Sequence, residues 1–457
     1  MACEIGPSLE LLTGGGELYY QAQDALCSTC SKINWAEIVH NPDSAGRSAG
    51  RWRCEHVPSM CEMRQNYRCP FCRLCTRAKN TLDPGAIIDN SEKGLWQIVW
   101  YGQEWDNETS RGGGDNYRER IRDLMTFRLQ LKPPRTLNSR RLNSSTPIEV
   151  MVHAAEVSEY WWKYRSGQFI TATETNPHLL QRWRSRCENS HGNCHSSSTW
   201  DRLGLELMEK RCFRLIDVED LQVRPAEPGC KYVSLSYVWG TGKSFRASLS
   251  NFKNPDKTSP KGYMDLSTLE LPRTVADAIL ATKLLGERYL WVDALCIIQD
   301  DVEDMAVNIR AMDSIYKASV LTIVAAAGND SAAGLPGVRQ GSRFVEQIIE
   351  EVDNMTFMIP QPPLKNLLNN ASWSTRAWTY QEELFSRRKL IFTGGLVYYK
   401  CNEDVWSEDI FEEGELKFVS ERKDDIFARQ HDKEEEDWGK SNSGESRSCY
   451  ISLNIDR

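Results

Sequence analysis

Residues 232–244, YVSLSYVWGTGKS, begin as a buried strand and end in Gly-Lys-Ser. The ending invites a phosphate-binding loop, in which a glycine at each end of the turn lets backbone N–H groups face the phosphates while Lys and Ser reach the outer oxygens and magnesium. Counting back from Gly242, the first of those glycines falls at position 237, which is Tyr237. A tyrosine resists the left-handed conformations that glycine permits, so an ATPase or GTPase loop is excluded. The stretch is a strand, and the chain downstream of it sets its role.

From Pro272 onward the pattern is regular. Pro272 and Gly286 mark the start and end of a helix whose buried stripe is Val275, Ile279, Thr282 and Leu285. YLWVDALCI, 289–297, is a short apolar run typical of a strand covered on both faces. Asp300, Asp301, Glu303 and Asp304 then open a second helix, with Val302, Met305, Ile309, Met312 and Tyr316 at alternating three- and four-residue spacing. SVLTIVAAA, 319–327, is a third strand, and the glycine-rich GNDSAAGLPGVRQGS after it reads as a mobile loop. Strand, helix, strand, helix, strand predicts a three-layer α/β domain with a mainly parallel sheet flanked by helices. Ligands of such sheets sit beyond the carboxyl ends of the strands.

The 457 residues suffice for about three domains of ordinary size. Lys and Arg total 56 against 64 Asp and Glu, and the net charge of −8 repels a polyanion, so nucleic acid is excluded as a default partner. The start, MACEIGPSLELLTGGGELYY, lacks the basic and apolar regions of a signal peptide, and no later segment resembles a membrane span. The expected location is cytoplasmic, where 15 cysteines are thiols or metal ligands rather than disulfides. Four regions are expected: a Cys-rich N-terminal region at 1–80, a β-containing accessory region at 81–214, the α/β domain at 215–401, and an acidic, partly disordered tail at 402–457. Accessory strands are expected at 95–102, 125–131 and 148–155, and helical or irregular structure around the Trp-rich YWWKYR and WRSRCENSHGNCH.

Cys27-x-x-Cys30 and Cys72-x-x-Cys75 offer two two-residue bites suited to tetrahedral zinc, with Cys69 an alternative partner for Cys72. Cys187, His191, Cys194 and His195 form a second group of ligand types at short spacing. Ordinary reduced thiols are the alternative for both. Cys296, in an apolar run with no neighbouring cation, is a packed thiol. Asp293 interrupts the apolar run LWVDALCI near the carboxyl end of its strand, where an unpaired charge is costly; it caps the next turn or meets a ligand. Trp239 and Gly240 end the first strand and either line the same crevice, the indole offering a stacking face, or close the core.

The blocks YVSLSYVWG, LPRTVADAILATKLLGERYLWVDALCIIQDD, MDSIYKASVLTIVAAAG, GLPG and RAWTYQEELFSRRKLIF, in that order and spacing, resemble the HET domain of fungal heterokaryon-incompatibility proteins over about residues 215–401. The pairs LCSTC and FCRLC, and Trp183, Cys187, His191 and Cys194 ahead of RLIDV, look like that family too. The resemblance implies a role in non-self recognition and regulated cell death, with protein partners and self-association. HET domains are distantly similar to TIR domains, some of which cleave NAD at the nicotinamide–ribose bond with a glutamate placed four residues after a tryptophan. Trp378 plus four is Glu382, which the similarity implies as the catalytic carboxylate, with Tyr237, Trp239, Gly240, Asp293 and Trp378 as substrate-binding candidates.

On a helix, Glu382 shares a face with Trp378, whereas Glu383 points about 100° away, placed to pair with Arg387. A buried salt bridge to Arg376 or Arg388 is the alternative use of Glu382. Two functions therefore stand: an NAD-cleaving enzyme assembled by oligomerisation, or a non-catalytic signalling or adaptor module that binds partners through the same surfaces.

Overall fold

The structure, a computed structural model, describes residues 24–40, 54–82, 96–101, 128–132, 148–153, 166–194, 213–241, 245–253, 262–376 and 382–411. Outside them lie YWWKYR, His195, Gly242–Ser244, Trp378 and the tail from residue 412. Residues 1–411 cluster as one compact unit.

The chain contributes β1 (Cys54–Val57), β2 (Trp96–Tyr101), β3 (Arg128–Lys132), β4 (Ile148–Val152), β5 (Ser166–Gly167), β6 (Arg214–Asp217), β7 (Gln222–Pro225), β8 (Tyr232–Ser236) and β9 (Met264–Asp265). It continues with β10 (Tyr289–Trp291), β11 (Leu321–Ala325), β12 (Ile349–Val352), β13 (Met355–Met358), β14 (Arg388–Phe392), β15 (Val397–Cys401), β16 (Val405–Ser407) and β17 (Ile410–Phe411). Nine strands form the principal sheet in the order β16-β15-β14-β11-β8-β10-β6-β7-β9. Its centre, β10-β8-β11-β14, is parallel throughout. In chain order these four strands run second, first, third, fourth. The chain leaves β8 for one side and returns to β11 on the other, and the crevice at such a switch point is where doubly wound sheets hold ligands.

The sheet is mixed rather than mainly parallel. β6, β7 and β9 on one flank, and β15 and β16 on the other, all pair antiparallel. The reason is connectivity: short links after β6, β14 and β15 make hairpins, whereas parallel neighbours need a crossover of a dozen or more residues. The strand expected over 289–297 also ends early, at Trp291. Asp293 accepts a hydrogen bond from the Ala294 N–H at 2.7 Å and starts a helical turn, Asp293–Cys296. The helix expected after Asp301 is two helices, Val302–Arg310 and Met312–Ala318, broken at Ala311. Asp301 caps the first by accepting from the N–H groups of Glu303 and Asp304. The helix Arg273–Leu284 buries Val275, Ala278, Ile279 and Thr282 as its periodicity requires.

A second sheet, β1-β2-β3-β4-β13-β12, is wholly antiparallel. Its last two strands come from the middle of the α/β region, so the accessory strands and that region are interlocked. The helix Pro70–Leu82 packs on this sheet. Trp35, Phe71, Cys75, Val150 and Phe357 share its core, and Arg73 forms a two-pronged ion pair with Glu350 at 2.6 Å.

The glycine-rich loop after β11, expected to be mobile, is pinned to the start of the helix Arg273–Leu284. Thr274 Oγ1 accepts from the Gly334 N–H at 3.0 Å, and buried Asp277 accepts from Leu335 N–H at 3.0 Å and from Arg339. Gly334 has φ +79°, and a Cβ there would lie 2.6 Å from Asp277 Oδ2. Gly334→Ala should therefore destabilise the protein by about 1–3 kcal/mol, read as a lower urea midpoint at unchanged slope, whereas Gly341→Ala, in open space, should lose only the positive-φ preference.

Candidate functional site

Glu382, Tyr237, Trp239, Gly240 and Asp293 come together where β8 and β10 end. Ser236, the last residue of β8, donates its hydroxyl hydrogen to Glu382 Oε2 and accepts one from Trp373 Nε1 at 2.7 Å. The Tyr316 hydroxyl, 3.2 Å from the Leu235 carbonyl, also interacts with the Glu382 carboxyl. Glu382 is only 9% exposed. Burial pushes its pKa up, while Ser236, the Arg376 charge and Tyr316 hold it down by less.

Asp293 is half-buried and follows β10 directly. Its carboxylate accepts from Trp239 Nε1 at 2.9 Å and from the Ala294 N–H. Loss of water first, and then the Glu382 charge, raise its pKa from 3.8 to about 7, so it is poised near neutrality. The two carboxylates thus sense one another across the ends of two strands. Arg376, whose Nη1 donates to the Tyr237 carbonyl at 2.9 Å, supplies compensating charge to both. It does not form the simple salt bridge to Glu382 that is the alternative to catalysis. Arg388 is engaged elsewhere, and Glu383 pairs with Lys400 at 3.2 Å rather than with Arg387, because β15 brings Lys400 alongside.

Three features shape the surroundings. The Arg246 guanidinium lies 4.6 Å from the Trp239 ring centroid, so that indole face already receives a cationic plane. The Tyr237 hydroxyl is buried and, among the described residues, has no hydrogen-bond partner. Gly240 adopts φ +78°, and a Cβ there would meet Asp330 Cβ at 2.5 Å, so the loop after β8 closes against the loop after β11 only with glycine. Ser236, Tyr316, Trp373 and Arg246 complete the cluster; no spacing in the sequence singles them out, because each arrives from a different element.

Residues 232–382 match the family model described as heterokaryon incompatibility protein (HET). Over 193 residues the chain is 25% identical to heterokaryon incompatibility protein 6, OR allele, of Neurospora crassa, covering 35% of this chain and 28% of that relative. This chain carries a HET domain. It spans under a third of the length of that curated relative. No solved structure matches it significantly. The HET match opens on the first residue of β8 and closes at Glu382, so Ser236, Tyr237, Asp293 and Tyr316 all belong to it. Among the described residues no helix is long and apolar enough to cross a membrane.

Outside the HET match, two groups of side chains among the described residues could hold a metal ion. In the first, Cys27, Cys30 and Cys72 meet Cys69, which takes the place expected of Cys75. Cys69 precedes the first turn of the helix Pro70–Leu82, so it and Cys72 reach one point, whereas Cys75 is a turn further on, within the apolar core. Cys72 Sγ lies 3.8 Å from the sulfurs of both Cys27 and Cys30, and the Cys30 N–H donates to Cys27 Sγ at 3.5 Å. A cavity of about 230 Å³, lined in part by Cys27, Tyr67 and Cys69, opens beside it. In the second group, Cys187, His191 and Cys194 are joined by Cys401.

The raised Asp293 pKa has a consequence for stability. The unfolded chain loses this proton near 3.8 and the folded one near 7, so the folded state binds more protons between those values, and stability falls as pH rises through that window. Asp293→Asn removes the ionisation and keeps an acceptor for Trp239. Its melting temperature should rise relative to the unaltered protein as pH goes from 5 to 8; a difference independent of pH would show that Asp293 is not perturbed.

Proposed function

We propose that this HET-domain protein acts in non-self recognition of the heterokaryon-incompatibility kind, leading to regulated cell death, and that the cluster around Glu382 promotes cleavage of NAD at the nicotinamide–ribose bond. The observation that supports the chemistry is the meeting of two carboxylates, Glu382 and Asp293, beside an indole face and an unpartnered buried hydroxyl. In such a cleavage the nicotinamide leaves as a neutral base with the bonding electrons. Water then adds to the ribosyl cation and releases a proton. A carboxylate beside the ribose stabilises the cation as it forms. Glu382 is the proposed catalytic group, Asp293 the partner that would orient ribose hydroxyls, and Trp239, on the side of its ring away from Arg246, the surface on which the nicotinamide would stack. Tyr237 would gain a partner for its hydroxyl, and Gly240 and Trp378 complete the proposed substrate-binding set.

A second reading is favoured by the burial of Glu382. A carboxylate 9% exposed and hydrogen-bonded by Ser236 also suits a purely structural role, with the domain acting through self-association and protein partners alone. On either reading, the thiols of Cys27, Cys30, Cys69 and Cys72 fit zinc: four soft donors converge, and the Cys30 backbone N–H donates to Cys27 Sγ from outside the four sulfurs. Zinc there would hold the start of the helix Pro70–Leu82 to the segment at 27–30.

Incubating the concentrated full chain with NAD and following nicotinamide by chromatography separates the two readings. We expect release, slowed about 100-fold or more in Glu382→Gln, with the inflection near pH 7 lost in Asp293→Asn. No release from a chain shown by light scattering to self-associate would leave the adaptor reading. Release untouched by Glu382→Gln would move the chemistry to other residues.

A further inference from the structure

The group outside the carboxylate cluster that the function does not absorb lies on the β14–β15 side of the principal sheet, by the start of β14. The helix Pro177–Ser190 buries Leu179, Leu180, Trp183 and Cys187 against that sheet. Its last turn places Cys187 beside His191, whose backbone N–H donates to the Cys187 carbonyl at 3.2 Å, and a tight turn over Gly192–Cys194 brings the Cys194 sulfur back to the same point. Cys401, the last residue of β15, comes from the far end of the unit, with its sulfur 3.3 Å from His191 Nδ1. One ligand atom from each of the four lies within 4.8 Å of every other. Three thiols and an imidazole at one buried point is the donor set of a closed tetrahedral zinc site.

The surroundings are those of a thiolate centre. The N–H groups of Glu403 and Asp404 both aim at Cys401 Sγ, at 3.4 and 3.2 Å, in a turn closed by the Cys401 N–H donating to the Asp404 carbonyl at 2.9 Å. Arg388, directly opposite Cys401 across β14 and β15, donates to Cys187 Sγ at 3.4 Å and to the Cys194 carbonyl. Donors converging on sulfurs from outside the ligand set lower the charge that three thiolates bring to one cation, which is the work of outer-shell groups at metal sites. A packed cluster of neutral thiols has no use for a guanidinium and two backbone N–H groups directed at its sulfurs.

We propose that Cys187, His191, Cys194 and Cys401 bind a zinc ion, a Cys₃His centre distinct from the Cys27–Cys72 group, which clips the helix ahead of the HET match to the strand behind it. The clip joins Cys187, His191 and Cys194, upstream of residue 232, to Cys401, downstream of residue 382. The matched segment would then depend on both flanks for closure of its sheet.

The test is zinc content per chain, by plasma mass spectrometry, of the full protein purified under reducing conditions. The unaltered chain should carry one zinc more than Cys401→Ser or His191→Ala. His191→Cys, which gives a four-thiolate set in place of three thiolates and an imidazole, should keep that zinc and, with cobalt in its place, gain thiolate-to-cobalt absorption. Cys30→Ser should remove only zinc belonging to the other group, so the two centres are scored separately. Where a serine variant fails to fold, the unaltered chain is alkylated natively with and without a chelator: Cys187, Cys194 and Cys401 should become reactive together when metal is withdrawn. Equal zinc in the unaltered chain and in folded Cys401→Ser and His191→Ala would overturn the proposal. So would a disulfide among the three cysteines, or alkylation that the chelator does not change.

Discussion

The hydrogen bond from Ser236 to Glu382 fixes how the parts of this protein meet. A carboxylate beneath the end of a parallel strand loses most of its hydration, and that loss is tolerable only if hydroxyls and a nearby cation replace the water. Ser236 does so from β8, with Trp373 holding the serine in turn, while Tyr316 approaches from the helix Met312–Ala318 and Arg376 from the segment before Glu382. Three separate pieces of chain, β8, the helix Met312–Ala318 and the segment Trp373–Arg376, must therefore be in place before Glu382 can be buried. The same burial acts on Asp293, whose pKa rises partly because a second carboxylate stands nearby. Packing, electrostatics and the chemistry proposed for the site thus share one origin.

Much of this was legible in the sequence. The strands at 232, 289 and 321 and the helix between Pro272 and Gly286 follow from apolar runs and caps, which are local properties. Asp293 stood out because a charge in an apolar run must be paired or capping, and it is paired: it opens the turn that ends its strand, accepts from the adjacent Ala294 N–H and binds Trp239. What could not be read were properties of long-range pairing. The flanking strands that make the sheet mixed are set by hairpin links, and the β12–β13 hairpin lends itself to another sheet altogether. Glu383 turned to Lys400 for the same reason, since only the fold brings β15 alongside. Cys401, a lone cysteine at the end of an ordinary strand, carried no local signal of the group it joins.

The two thiol groups occupy equivalent mechanical positions. Each brings a helix together with chain distant in sequence: Cys69 and Cys72 with the segment at 27–30, and Cys187, His191 and Cys194 with the end of β15. Both lie outside the HET match, which is bounded by β8 and Glu382. The matched segment supplies the switch point and its carboxylates, and the flanking chain supplies the edges that make the sheet complete.

The electrostatic coupling of Asp293 and Glu382 is the central claim, and carboxyl-carbon NMR of the full chain tests it directly. Asp293 should titrate near pH 7, and its midpoint should fall toward the ordinary aspartate range when Glu382 is replaced by glutamine. A midpoint near 4 in both proteins, or one near 7 that the substitution leaves unmoved, would contradict the coupling.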